Sequence, residues 1–163
     1  VKRLKISSGC LTDKALLIAA KESKLPVILS TGMSTSEEMW EAYKVLGHPT
    51  VLHCTSSYPT PLEDINLRVL DCLPPPYGLS DHSKGILVSI AAVARGATVI
   101  EKHFTLNKHA EGPDHSSSLE PHEFQAMVNG IRQIEQALGD GVKRPMPSEK
   151  KCMDIWHRTD KKS

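Results

Sequence analysis

The sequence predicts an α/β fold with a parallel sheet and helices packed outside it. Two patterns carry that prediction. Short apolar runs alternate with amphipathic segments five times along the chain. Each run is also followed by hydroxyl, acidic or glycine residues of the kind that close strands and cap helices. The 163 residues can bury a sizeable core but fall short of the ~250 residues of a complete eight-unit barrel. With 20 basic and 19 acidic residues, the net charge is +1, which favours neither a nucleic-acid partner nor an acidic disordered tail.

The first predicted strand is residues 4–7, followed by the N-cap-like Thr12-Asp13 and a helix over 15–21. The second is residues 27–30, introduced by Pro26. Ser34 to Glu38 then offer capping hydroxyls and first-turn acids to a helix with Met39, Tyr43 and Leu46 on one face. The third strand covers 50–55; after the loop around Tyr58-Pro59-Thr60-Pro61, a short helix is expected over 66–73, ended by Pro74-Pro75-Pro76. The fourth covers 77–80, and an apolar helix over 86–94 follows Gly85. The fifth covers 98–104. The last helix, 120–138, places Phe124, Met127, Val128, Ile131, Ile134 and Leu138 at helical spacing, with Gly139 as its stop.

Parallel strands joined by right-handed crossovers present all their C-terminal ends on one face, where sites of such folds lie. Those ends carry Lys5, Ser7 and Ser8; Ser30 and Thr31; His53 to Tyr58; Ser80, Asp81 and His82; and Glu101, Lys102 and His103. Hydroxyls, backbone amides and a lysine suit a phosphate or carboxylate. Two histidines on neighbouring strand ends suit a divalent metal with open positions. Each feature has a plainer reading: a hydrogen-bonded surface histidine, turn chemistry at Ser-Thr-Gly, or a lysine reaching past a barrel end.

Cys10, Cys54, Cys72 and Cys152 match no zinc spacing or disulfide framework, so a reducing, cytoplasmic setting is expected. No apolar run reaches the ~20 residues of a membrane span. A chain that opens on Val1 and passes directly into a strand reads as a fragment.

Several segments together resemble the sialic acid (N-acetylneuraminate) synthase family: Lys5-Ile6-Ser7-Ser8-Gly9, the run from Val27 to Met33, the long run from His53 to Arg68, Gly78-Leu79-Ser80-Asp81-His82, Glu101-Lys102-His103-Phe104-Thr105-Leu106 and Gly112-Pro113-Asp114-His115-Ser116. The matches are ordered and extend to about Glu149. The resemblance implies a (β/α)₈ TIM-barrel type fold. Here it would be a partial barrel of about five β/α units, strands four to eight, over residues 1–142, with 143–163 as a linker or tail toward a small antifreeze-like domain.

The reaction it implies is condensation of phosphoenolpyruvate with N-acetylmannosamine or a related amino sugar to a nonulosonic acid, with release of phosphate. His82 and His103 match metal ligands, for Mn²⁺ or Mg²⁺, and with Asp114 form the implied catalytic set. Lys5, Ser8, Ser30 and Ser80 match groups that hold phosphoenolpyruvate; Tyr58 lies near the sugar, and Ser56 stands where some members carry Asn. A homodimer is implied for the full-length family, with no nucleic-acid or membrane partner. Cys10 departs from the family's usual Glu or Asp, so Cys10→Glu is expected to raise activity if that carboxylate matters. The alternatives are a catalytically inactive barrel remnant that binds sugar, anion or a partner chain, and a different phosphoenolpyruvate-dependent synthase on the same barrel.

Overall fold

A computed structural model describes residues 1–156. Its five strands are β1 (Leu4–Ile6), β2 (Val27–Ser30), β3 (Thr50–Cys54), β4 (Tyr77–Asp81) and β5 (Val99–Lys102). They pair in chain order, and every pairing is parallel. The helices are α1 (Lys14–Glu22), α2 (Ser36–Leu46), α3 (Leu87–Ala94), α4 (Pro121–Leu138) and α5 (Lys150–Trp156). The result is a half-barrel of the TIM type, as the sequence predicts. Helix α5 lies in the segment expected to be a linker or tail, and residues 157–163 of that segment lie outside the described residues.

Local chemistry explains the helix boundaries. Asp13 caps α1 by accepting the Leu16 N–H at 3.0 Å. Thr35 and Glu38 form a reciprocal capping box at the start of α2, with bonds of 3.2 and 2.8 Å. Gly47 ends α2 at φ 70°, a left-handed conformation that costs glycine no steric strain. Pro121 occupies the first turn of α4, where its missing N–H is not needed.

The short helix expected after β3 is present and takes the 3₁₀ form, Leu67–Cys72. Asn66 enters it in a left-handed conformation, φ 48°, and the prolines beginning at Pro74 leave no room for further turns. In α4 the expected apolar face is buried or half-buried from Phe124 to Ile134, whereas Leu138 is exposed at the helix end.

Two buried clusters lie on the helix side of the sheet. One joins Ile6, Val27 and Leu29 to Leu17 and Ala20 of α1 and Ala42 and Leu46 of α2. The other joins Val51 and Leu79 to Met39 and Tyr43 of α2, Leu70 of the 3₁₀ run and Leu73 just past its end, and Ala92 of α3. Helix α4 stacks on α3 through Gly130, where a Cβ would meet Ile90 Cδ1 at 2.6 Å. Past β5, Phe104 bridges Leu119, so the loop between them leaves and rejoins the body at one place.

Candidate functional site

Side chains of a strand alternate between its two faces. Ile6, Leu29, Val51 and Leu79 enter the helix-side clusters. Their neighbours Lys5, Ser30, Leu52 and Ser80 therefore face the barrel interior. Past the strand ends this inward set opens into a cleft of about 400 Å³ lined by Lys5, Ser8, Ser30, Ser56, Tyr58, Ser80, His82, Glu101 and His103, together with Ser7, Gly9, Met33 and Cys54. Every predicted substrate or metal residue lines it. Asp114 is not among the lining residues but stands beside it, its Oδ2 3.9 Å from His103 Nδ1.

Three rings cluster at one wall. The His82 and His103 centroids are 5.0 Å apart; Tyr58 stands 4.4 Å from His82 and 5.6 Å from His103. Burial is the main cause that lowers the His82 pKa, and the neighbouring His103 adds to it, so the neutral imidazole, the form that binds metals, is favoured. The Tyr58 phenol is pushed up, chiefly by burial.

Next to these rings, Lys5 Nζ lies 3.2 Å from Glu101 Oε2, and the Ser80 hydroxyl, 3.4 Å from His82 Nε2, donates to Glu101 Oε1 at 2.6 Å. Glu101 is the cleft carboxylate that the sequence reading named at a strand end but did not select. Its register opposite Ser80 and the strand's period of two would have placed it inward. The Ser8 hydroxyl accepts the Gly32 N–H at 2.9 Å, which brings the β1 and β2 loops together.

Among the described residues, His82 Nδ1 and Ser30 Oγ are buried without a hydrogen-bond partner. Such groups cost about 1–3 kcal/mol each unless something satisfies them. Both belong to cleft residues, and the donor set of two imidazoles with nearby hydroxyls fits a hard or borderline divalent cation. A three-residue cluster of metal-ligand type also occurs at Glu120, His122 and Glu123, outside the cleft lining. There the two glutamates are already engaged in the cap of α4 and by Lys108.

Cys10 is not a lining residue. It packs against the Ile6–Leu17 cluster, and the Ser7 hydroxyl approaches its Sγ at 3.4 Å. All four cysteines are free. Among the described residues, no helix is long and apolar enough to cross a membrane.

Comparison with known proteins gives concordant matches. The model of the NeuB family matches residues 1–143. The chain is 53% identical to "Uncharacterized protein MJ1065" of Methanocaldococcus jannaschii over 92% of its own length and 47% of that protein. It is 44% identical to the N,N'-diacetyllegionaminic acid synthase of Campylobacter jejuni, over 98% of this chain and 51% of the other. The crystal structure of an N-acetylneuraminic acid (sialic acid) synthetase from Leptospira borgpetersenii, in complex with citrate, superposes with a TM-score of 0.86 at 37% identity, covering 98% of this chain and 60% of that one. The chain thus spans about half the length of the curated relatives it matches.

Proposed function

The chain belongs to the NeuB family of sialic acid synthases, and from that premise we propose that its cleft binds phosphoenolpyruvate and the open-chain aldehyde of an amino sugar for condensation to a nonulosonic acid. The amino sugar is N-acetylmannosamine or a related amino sugar; the Campylobacter relative is named for the product N,N'-diacetyllegionaminic acid. The observation that carries the reading is the convergence of His82, His103, Lys5 and three strand-end serines on one cleft.

Charge supports it. Lys5 and Glu101 offset one another, and burial favours a neutral His82. A ligand with both phosphate and carboxylate groups therefore needs additional positive charge. His82 and His103 would hold a divalent cation, Mn²⁺ or Mg²⁺, that supplies it. When bound, that cation also supplies Lewis-acid polarisation of the aldehyde carbonyl.

The remaining chemistry falls to the chain's own groups. Lys5 and the hydroxyls of Ser8, Ser30 and Ser80 bind the anionic oxygens of phosphoenolpyruvate. Ser56 lies beside Gly32 and extends the same hydroxyl-lined wall. Held there, the methylene carbon of the enol faces the wall formed by Tyr58 and the two imidazoles. Its electron pair forms the new carbon–carbon bond to the aldehyde carbon, whose oxygen takes a proton. Water adds to the former enol carbon and gives up one proton; the carbon–oxygen bond to phosphate then breaks as the new hydroxyl becomes the ketone carbonyl, and its proton leaves with the phosphate. Asp114, beside His103 and half exposed, orients sugar hydroxyls or relays one of these protons. Tyr58 packs against the sugar, its phenol kept protonated.

The test is a Mn²⁺ titration followed by thermal melting, paired with a phosphate-release assay using phosphoenolpyruvate and N-acetylmannosamine. A metal-dependent rise in Tm that disappears in the His82→Ala/His103→Ala variant supports the site. A rise that survives the double substitution refutes it. Metal binding without phosphate release, across several amino sugars, would favour the inactive-remnant alternative.

A further inference from the structure

Behind the cleft, β4 and β5 end on a buried ion pair that the condensation chemistry does not use. Asp81 and Lys102 are register partners. Their side chains meet at 3.0 Å and are each only 1% exposed. Strand alternation turns them to the helix side, while Ser80 and Glu101, their neighbours in sequence, turn into the cleft.

The pair is tied to the backbone on either side of His82. Asp81 Oδ1 accepts from the Ser83 N–H at 2.9 Å and from the Ser83 hydroxyl at 2.6 Å, which makes a turn with His82 at its crown. Asp81 Oδ2 accepts from the Ser89 hydroxyl of α3 at 2.6 Å. Lys102 donates both to Asp81 and to the Ser83 carbonyl. His103 follows Lys102 directly in the chain. The two histidines are also fixed from the other side: the His82 carbonyl accepts the Thr60 N–H at 3.0 Å, and the His103 carbonyl accepts the Leu119 N–H at 2.9 Å.

Stability does not explain this arrangement. Desolvation of a buried ion pair can exceed its Coulombic gain, and a well-packed apolar pair of similar volume often serves a fold as well or better. What an apolar pair cannot supply is a set of directional bonds to the residues flanking both imidazoles. We propose that the Asp81–Lys102 pair, with Ser83 and Ser89, is a positioning device that sets the separation and tilt of the His82 and His103 rings for a shared divalent cation. The proposal rests on the metal reading given above and extends it to residues outside the cleft. They touch no substrate and act only through the two histidines.

The test has two independent readouts. In metal-free protein labelled at histidine, ring-proton NOEs report the His82–His103 geometry, whose centroids are 5.0 Å apart. Free-ion counting by Mn²⁺ electron paramagnetic resonance reports affinity. The Asp81→Asn/Lys102→Met variant removes the charges at similar volume. It is expected to melt close to the parent, lose the inter-ring NOEs and bind Mn²⁺ 10–100-fold more weakly, the range found when outer-shell partners are removed. Ser89→Ala, which deletes one bond to Asp81 at a fully buried position, is expected to move both readouts in the same direction by less. If the double variant does not fold, Ser89→Ala decides. Unchanged NOEs and affinity in a folded variant overturn the proposal, as does an affinity loss with NOEs intact. If His82→Ala leaves Mn²⁺ affinity untouched, the metal reading fails, and the NOEs still judge the positioning claim separately.

Discussion

A Cβ on Gly78 would sit 2.1 Å from the carbonyl oxygen of Val99 and 2.7 Å from Leu52 Cδ2. Gly78 and Val99 are register partners, so β4 and β5 run together at this point with the barrel interior closed over them by Leu52. No flexible side chain can yield on the Val99 side. Gly78→Ala is expected to destabilise the chain by about 1–3 kcal/mol, read as a lower urea midpoint at unchanged m-value. A midpoint equal to the parent's would mean that the two strands can separate without loss.

Gly32 makes a similar demand at the cleft, with a different consequence. A Cβ there would lie 2.2 Å from Ser56 Oγ and 3.0 Å from Ser8 Oγ, both of them side-chain atoms that can rotate away. Gly32→Ala should therefore fold but displace two hydroxyls assigned to anion binding. Loss of one charge-assisted hydrogen bond, about 1.5–3 kcal/mol, corresponds to roughly 10–100-fold weaker phosphoenolpyruvate binding by calorimetry. Unaltered affinity would remove Ser8 and Ser56 from the anion site.

Among the described residues, Lys5 is the one lysine or arginine that lines the cleft. Lys5→Met keeps its aliphatic stem and deletes the charge, which should weaken phosphoenolpyruvate binding about tenfold or more. The parent's affinity should also fall more steeply with added salt than the variant's. Equal salt dependence in the two proteins would show that Lys5 serves only Glu101.

His53 contributes to the pH dependence of stability, in the same direction as His82, whose pKa burial also lowers. Its ring lies on the helix side of β3 and donates from Nε2 to the Ile65 carbonyl at 2.6 Å. Burial pulls its pKa below the ordinary 6.5, and the Ile65 bond opposes this only in part. The folded state thus binds the proton less readily than the unfolded chain. Stability from this group is complete above about 6.5 and is lost as pH falls below that value toward the folded pKa. Metal-free urea unfolding between pH 8 and 5 should show stability falling with pH, with a shallower fall in His53→Gln. Parallel curves for the two proteins would reject the assignment.

Strand-end positions were legible in the sequence because a parallel sheet sends every C-terminal end to one face, and apolar runs mark where each strand stops. Hence Lys5, Ser8, Ser30, Ser56, Tyr58, Ser80, His82 and His103 all line one cleft. Two kinds of feature were not legible. The turn at Asn66 depends on a left-handed backbone conformation, and the apolar pattern of Leu67, Val69 and Leu70 is equally compatible with an α-helix. The Asp81–Lys102 pair needs the β4–β5 register, which no local pattern states; a lysine beside a strand-end histidine reads as solvated until its partner is known. The same register would have turned Glu101 inward beside Ser80. Cys10, which stands where the resemblance expects a carboxylate, packs against the apolar cluster beneath the cleft.

The bridge between Phe104 and Leu119 has an evolutionary consequence. A detour whose two feet stand side by side can lengthen, shorten or change its residues without pulling on the wall it springs from. Asp114 rides on that detour, whereas both imidazoles stay on the fixed masonry. Under the proposed function, taste for one amino sugar over another can thus drift in the overhang while the floor that carries the imidazoles keeps its shape.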